Sequence, residues 1–363
     1  MSTATEIGRP QGSMPVVTPV DGEAGPPPLA RRGATGRLLL GLVLLAGLLA
    51  VTGLLSLTFG AREVGWAEIV AGLQGQQETI GEAAVARRLP RTVLAMLVGA
   101  ALGLSGTVMQ GVTRNPLADP GILGVTSGAS LLVVVGIAFF GLSSPSSFIW
   151  TAVVGAGATA VLVYLVGSLG RGGATPLKLA LAGAAVSAAC SSLVSAVMLP
   201  RVQAMDSFRF WQVGGVGGAD PARIARVLPF LAVGALISLA TARALNAMAL
   251  GDDLAAGLGE RVALTRGLAA TGAVLLCGAA TAVAGPIGFV GLVVPHACRL
   301  VVGSDHRWLM PYAMAVGAAL LTLADVLGRV VSRPDEVDVG IVTALVGAPV
   351  FIAIVRRQKL RAL

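Results

Sequence analysis

Four short segments of this chain group charged, histidine, proline and glycine residues densely enough to do more than pack. The first is Ala86-Arg-Arg-Leu-Pro-Arg91, three guanidiniums around a stiffening proline. Such a cationic knob suits carboxylate partners, and ordinary anchoring at a membrane interface suits it equally. The second runs from Gln110 to Gly124 through Asn115, Pro116, Leu117, Asp119, Pro120 and Gly121. Its prolines and glycines break continuous helix, so it reads as a turn or as a gate. The third is Ala249–Arg261. Asp252 is expected as N-cap, Leu254 and Leu258 share a face at i, i+4, and Gly259 is a stop. That makes a short amphipathic helix outside the membrane. Asp252, Asp253 and Glu260 would be repelled by anionic lipid, so a protein partner suits it better. The fourth, Ala284–Leu300, sets His296 between Pro286 and Pro295 at a Gly-rich helix start. A lone histidine there is more often structural than a ligand.

Nothing else in the sequence offers covalent chemistry. Lys178 and Lys359 are the only lysines, and neither follows a phosphate-loop pattern. No dinucleotide fingerprint, zinc motif or nucleophile elbow occurs. His296 and His306 are too far apart for an H-x-x-x-H pair, and Cys190, Cys277 and Cys298 lie singly in apolar runs. No catalytic residue and no bound metal or cofactor is expected. Asp325 is the carboxylate nearest a span interior, yet it falls close to a helix end. An ion-coupled carrier would often place acids at mid-span. The pattern is that of a passage whose energy comes from elsewhere.

The elements that must position these segments follow from composition. Of 363 residues, 55% are hydrophobic and only 12% charged, with 49 glycines. A soluble domain of this size needs more charge to coat its surface, so the chain is an all-α integral membrane protein. The +8 net charge is then topological and not a nucleic-acid footprint. Residues 1–36 hold six prolines and no apolar run, as a disordered tail would. Charge-free windows of about 20 residues mark ten spans: 38–61, 92–113, two within 120–170, 179–200, 227–242, two within 267–303 split at Gly285-Pro286-Ile287-Gly288, 309–327 and 339–355. With both termini cytoplasmic, inner segments carry 16 of the 26 basic residues.

Small residues complete the pattern. Gly99/Gly103 and Gly124/Gly128 recur one turn apart, which suits close helix packing. Ser187, Ser191 and Ser195 recur every four residues on one helix face. They serve either as packing residues with interhelical hydrogen bonds or as a polar path.

Arg88-Leu-Pro-Arg91, Asn115-Pro-Leu-Ala-Asp-Pro-Gly121, the Ala249–Gly259 helix, Gly288-Phe-Val-Gly-Leu-Val-Val-Pro-His296 and Gly340–Phe351 occur in order. Together they resemble the iron–siderophore and cobalamin permease family of ABC importers, the FecCD type. The resemblance covers about 37–357 and leaves the tail outside. It implies a type II ABC importer permease in a bacterial inner membrane, paired with itself or a similar subunit. Two cytoplasmic ATPase subunits carrying ATP and Mg would dock below, and a soluble substrate-binding protein above. It further implies coupling to the ATPase through Leu250, Asp252, Leu254, Leu258 and Gly259. Asn115, Leu117 and Thr175 would form the inner gates, Arg88, Arg91 and Arg329 would dock the binding protein, and the path would run beside the serine stripe. Pro334-Asp-Glu-Val-Asp338 departs from that pattern by placing carboxylates near Arg329. The cargo expected is a ferric siderophore. A cobalamin or haem importer of the same build and an ion-coupled secondary carrier are the rivals.

Overall fold

The computed structural model describes residues 30–361, apart from 61, 63, 143, 171–174, 202–207 and 209–210. The helices are α1 Ala30–Thr58, α2 Trp66–Leu73, α3 Ile80–Thr113, α4 Val125–Phe140, α5 Pro145–Ser168, α6 Pro176–Met198 and α7 Pro221–Ala240. They continue with α8 Ala242–Met248, α9 Asp252–Gly257, α10 Val262–Ala284, α11 Val290–Val302, α12 His306–Val331 and α13 Val339–Arg361. A 3₁₀ turn, Pro120–Leu123, precedes α4, and no strand occurs among the described residues. Lipid offers no hydrogen bonds, so each spanning segment must satisfy its own backbone, which a helix does.

Local signals explain where the spans begin. Thr79 caps α3 through Oγ1, which accepts from the Glu82 N–H, while the Glu82 carboxylate accepts from the Thr79 N–H at 3.1 Å. Ser144, Thr175 and Asp220 cap α5, α6 and α7, each followed by a proline at the first helical position. Gly285, at φ 71°, ends α10 and allows the turn into α11.

Among the described residues seven helices are long and apolar enough to cross a membrane, and α4, α11 and 339–354 are shorter apolar helices. Their sum matches the ten spans expected. Two edges differ. The helix read as 92–113 starts at Ile80, because Arg87, Arg88 and Arg91 continue it. The first helix starts at Ala30, inside the segment read as tail, whose residues 1–29 lie outside the described residues.

α3 runs through the middle of the bundle and packs against α10, α11 and α12, while α4 packs on α5 and α6. Glycines set the closest crossings. A Cβ on Gly99 would strike the Gly317 carbonyl of α12, one on Gly103 the Ala313 carbonyl, and one on Gly106 the Gly291 carbonyl of α11. Gly128 abuts Gly155 and Thr159 of α5. Backbone contact of this kind replaces the hydrophobic drive that lipid removes. Gly99→Val and Gly106→Val are therefore expected to lower stability in detergent by about 1–3 kcal/mol or more. Gly47→Ala, with no atom within 4 Å of its Cβ, should change it by less than about 1 kcal/mol. Thermal unfolding of the three variants checks this.

Candidate functional site

Two ends of the bundle carry the polar residues singled out above, and they are built differently. At one end α1 finishes, α3 starts and α12 finishes. Here Asp325 is 1% exposed and lies between two guanidiniums. Arg91 grips it from α3 with a fork, Nη2 and Nε donating at 2.8 and 3.0 Å. Arg329, one turn further along α12, forms an ion pair with it, Nε lying 3.1 Å from Oδ2, while its Nε–H donates to the Asp325 carbonyl at 3.4 Å. The second arm of Arg91 reaches Glu336 at 2.5 Å, and Glu336 is the exposed member of the group.

The remaining donors go to the end of α1 and the residues just after it. Arg329 Nη1 donates to the Ser56 carbonyl at 3.0 Å and Nη2 to Ser56 Oγ at 2.7 Å. Arg88 donates to the carbonyls of Leu57 at 2.7 Å, Thr58 at 3.0 Å and Arg62 at 2.5 Å. Helix α1 leaves its last carbonyls without intrahelical partners, and these two arginines satisfy them.

Two of the three arginines that the resemblance assigns to docking are engaged inside the bundle. Arg88 is 8% exposed and Arg329 1% exposed, with their forks already occupied. A docking cation needs an open fork. Only Arg91 borders an exposed carboxylate, so it is the one candidate left for an exchange of partners. The i, i+4 spacing of Asp325 and Arg329 was the available signal for this cluster. Reading Asp325 as a helix-end residue missed it.

At the other end, Asp252 opens α9 but does not cap it. Gly251, at φ 120°, occupies that position. The Asp252 carboxylate instead pairs with Arg114, the residue ending α3, and with Arg266 of α10, which donates at 3.1 Å. Burial opposes its charge, yet the two guanidiniums outweigh burial and hold its carboxyl below the usual carboxylate range. Ala255 is fully buried beneath α9. Leu250, Leu254 and Leu258 point away at 61–68% exposure, and Gly259 closes the segment at φ 89°. Three exposed leucines within nine residues form a patch that a covering surface would stabilise by about 1.5–3 kcal/mol per fully buried side chain.

The remaining candidates shape turns and one face. Asn115 Oδ1 accepts from the Leu117 N–H at 2.9 Å, and Thr175 Oγ1 accepts from the Lys178 N–H. Gly173 and Ala174 lie outside the described residues. Ser187 is half-buried towards Gly124, while Ser191 and Ser195 are exposed, the latter donating to the Ser191 carbonyl at 3.0 Å. Among the described residues no group of three His, Cys, Asp or Glu side chains could hold a metal.

Residues 48–357 match the model of the FecCD transport family. The chain belongs to that family. It is 43% identical over 306 residues to the ferric enterobactin transport system permease protein FepD of Escherichia coli, covering 84% of this chain and 91% of that one. It is 40% identical to the iron(3+)-hydroxamate import system permease protein FhuB of Bacillus subtilis, covering 90% and 84%. A solved metal-chelate type ABC transporter in an inward-facing conformation superposes with a TM-score of 0.76 at 32% identity, covering 88% of this chain and 99% of that one. The ten-helix bundle is thus the membrane-spanning permease component of an ABC transporter.

In this FecCD permease the buried cluster ties α1, α3 and α12 together. Removing one partner leaves an uncompensated charge in a dry interior, at about 3–5 kcal/mol. Asp325→Asn should therefore lower stability by that order. Glu336→Gln, at an exposed pair, should cost at most about 1 kcal/mol. Unfolding curves of the two variants in one detergent check the contrast.

Proposed function

We propose that this permease passes ferric siderophores across a bacterial inner membrane, driven by ATP hydrolysed with Mg on two separate cytoplasmic subunits. The observation that carries the reading is the construction of α9. Leu254 on it and Leu250 and Leu258 flanking it face outward with nothing among the described residues covering them, while Asp252 is tied to Arg114 at the end of α3 and to Arg266 of α10. An apolar patch seated on a cleft of the ATPase would gain its hydrophobic contact through Leu250, Leu254 and Leu258. Motion of that cleft would reach the bundle through Asp252, because the carboxylate grips one helix ending and another helix beginning. ATP binding then favours one of two bundle states by differential contact, with no covalent step in this chain.

This reading puts both termini and α9 on the cytoplasmic side and the arginine cluster on the outer side. A substrate-binding protein would approach that outer end, with Arg91 the guanidinium able to trade Glu336 for a partner's carboxylate. A second copy, or a similar subunit, would cover the exposed Ser191/Ser195 face of α6, with the path between the two. Asn115, Leu117 and Thr175 would narrow its cytoplasmic mouth. Ferric siderophores are the favoured cargo because relatives matching most of the chain are permeases for ferric enterobactin and iron(3+)-hydroxamate.

Two substitutions separate the roles of α9. Leu254→Asp should abolish co-purification of the ATPase subunits and radioiron uptake together. Asp252→Asn should keep co-purification while lowering uptake about ten-fold, as expected when an ionic hydrogen-bonded link of about 1.5 kcal/mol is lost. Uptake measured in a deletion strain with a panel of ferric siderophores, haem and cobalamin checks both and names the cargo. Full uptake with Leu254→Asp would remove α9 from the coupling, and uptake restricted to haem or cobalamin would replace the cargo.

A further inference from the structure

A cavity of about 320 Å³ lies between α5 and α10, in the half of the bundle that carries α9. Its floor is Met109 and Val112 of α3, Leu123 of the 3₁₀ turn and Leu179 of α6, all buried. Its rim is exposed, with Val161 and Leu165 on α5 and Thr271 on α10. These rim residues lie within the spans, so the cavity opens sideways to lipid.

Protein interiors leave few voids larger than a water, and apolar cavities stay dry. Only Tyr164, Arg266 and Thr271 bring polar side chains to the lining, and the Thr271 hydroxyl already donates to the Gly267 carbonyl at 2.8 Å. The occupant is therefore largely apolar. From Arg266 to Leu275 the α10 wall rises about 14 Å at 1.5 Å per residue, close to one leaflet of a hydrocarbon core about 30 Å thick.

Charge is confined to one end of this slot. Helices α5, α6 and α10 contain no acidic residue, and Lys178 and Arg266 are their only cations, each near the start of its helix. Lys178 Nζ donates to the Leu169 carbonyl at 3.4 Å, just past the end of α5. Arg266 Nη2 donates to the two Asp252 oxygens at 3.1 and 3.2 Å. Asp252 also serves Arg114, so one carboxylate faces two guanidiniums and positive charge is left over. Asp253 and Glu260 precede α10 and do not line the slot. Tyr164, one turn before the end of α5, stands where tyrosines meet lipid headgroups.

An apolar slot one leaflet deep, with cations at one end alone, matches an amphiphile with a negative head. We propose that it holds an acyl chain of an anionic phospholipid from the inner leaflet, with the headgroup drawn to Arg266 and Lys178. The choice of leaflet rests on the orientation proposed above; the binding itself does not.

The test uses the full-length permease, delipidated in neutral detergent, without ATPase subunits or cargo. Phosphatidylglycerol, phosphatidylcholine with the same chains, and oleate are titrated, and bound lipid is counted by native mass spectrometry. Phosphatidylglycerol should bind saturably and about ten-fold more tightly than phosphatidylcholine, as one or two nearby cations provide. Gly157 lines the slot and has nothing within 4 Å of its Cβ position. Gly157→Leu should fill the slot and weaken phosphatidylglycerol binding about ten-fold or more, the loss of a few buried methylenes. It should not lower the lipid-free Tm, because leucine suits a helix better than glycine. Arg266→Gln and Lys178→Gln should each narrow the preference for phosphatidylglycerol and leave phosphatidylcholine binding unchanged. Gly157→Leu keeps the test valid if Arg266→Gln fails to fold. No saturable binding, equal affinity for the two phospholipids, unaltered binding in Gly157→Leu, or a preference untouched by both cation variants would each overturn the proposal. Oleate binding as tightly as phosphatidylglycerol would make the occupant a free fatty acid. An oligomer that Gly157→Leu dissociates, with no lipid bound, would make it a second copy. Either result would also overturn the proposal, and none of these outcomes bears on the ATP drive or the cargo.

Discussion

An arginine taken out of water keeps its charge only if carboxylates and carbonyl oxygens replace the water it leaves. The bundle depends on meeting that condition at the cluster formed by Arg88, Arg91 and Arg329. One buried carboxylate, Asp325, joins two of the guanidiniums, and the final carbonyls of α1 receive the rest. The requirement runs both ways. Without the arginines, the end of α1 would leave carbonyls unpaired, and without α1 the arginines would lack acceptors. Three helices distant in sequence are thereby held in one register at one end of the molecule, while glycine-mediated contacts of α3 with α11 and α12 set their spacing along its length.

The opposite end solves a different problem. Asp252 again gathers two arginines, but at the surface, on a six-residue helix that shows Leu254, and the flanking Leu250 and Leu258, to solvent. One end is closed by satisfied pairs and the other is open to a partner. That asymmetry is what a permease needs if force applied at one end is to move helices anchored at the other. Arg114 is part of the link, since it ends the same α3 that carries Arg88 and Arg91 at its start.

Much of this was legible in the sequence, and the misses share a cause. Charge-free windows located the ten apolar helices, and the Gly285–Gly288 break between α10 and α11 was visible because glycine and proline signal it locally. The start of α3 was not, because a window test treats every arginine as outside the bilayer. A buried pairing across 234 positions, Arg91 to Asp325, leaves no local trace. Asp252 was read as a cap for the same reason: composition favours that role, and only the fold brings Arg114 and Arg266 to it. The exposed Leu254 and Leu258 were readable from i, i+4 spacing because one lies on the short helix α9 and the other is its C-cap.

The account requires that transport be powered from outside this chain. Reconstituting the permease in liposomes, with and without its ATPase subunits, and following entry of a radioiron–siderophore complex tests this most directly. Entry should need both the ATPase subunits and ATP, and should persist when ion gradients are collapsed. Entry through the permease alone, driven by a proton or sodium gradient, would contradict it.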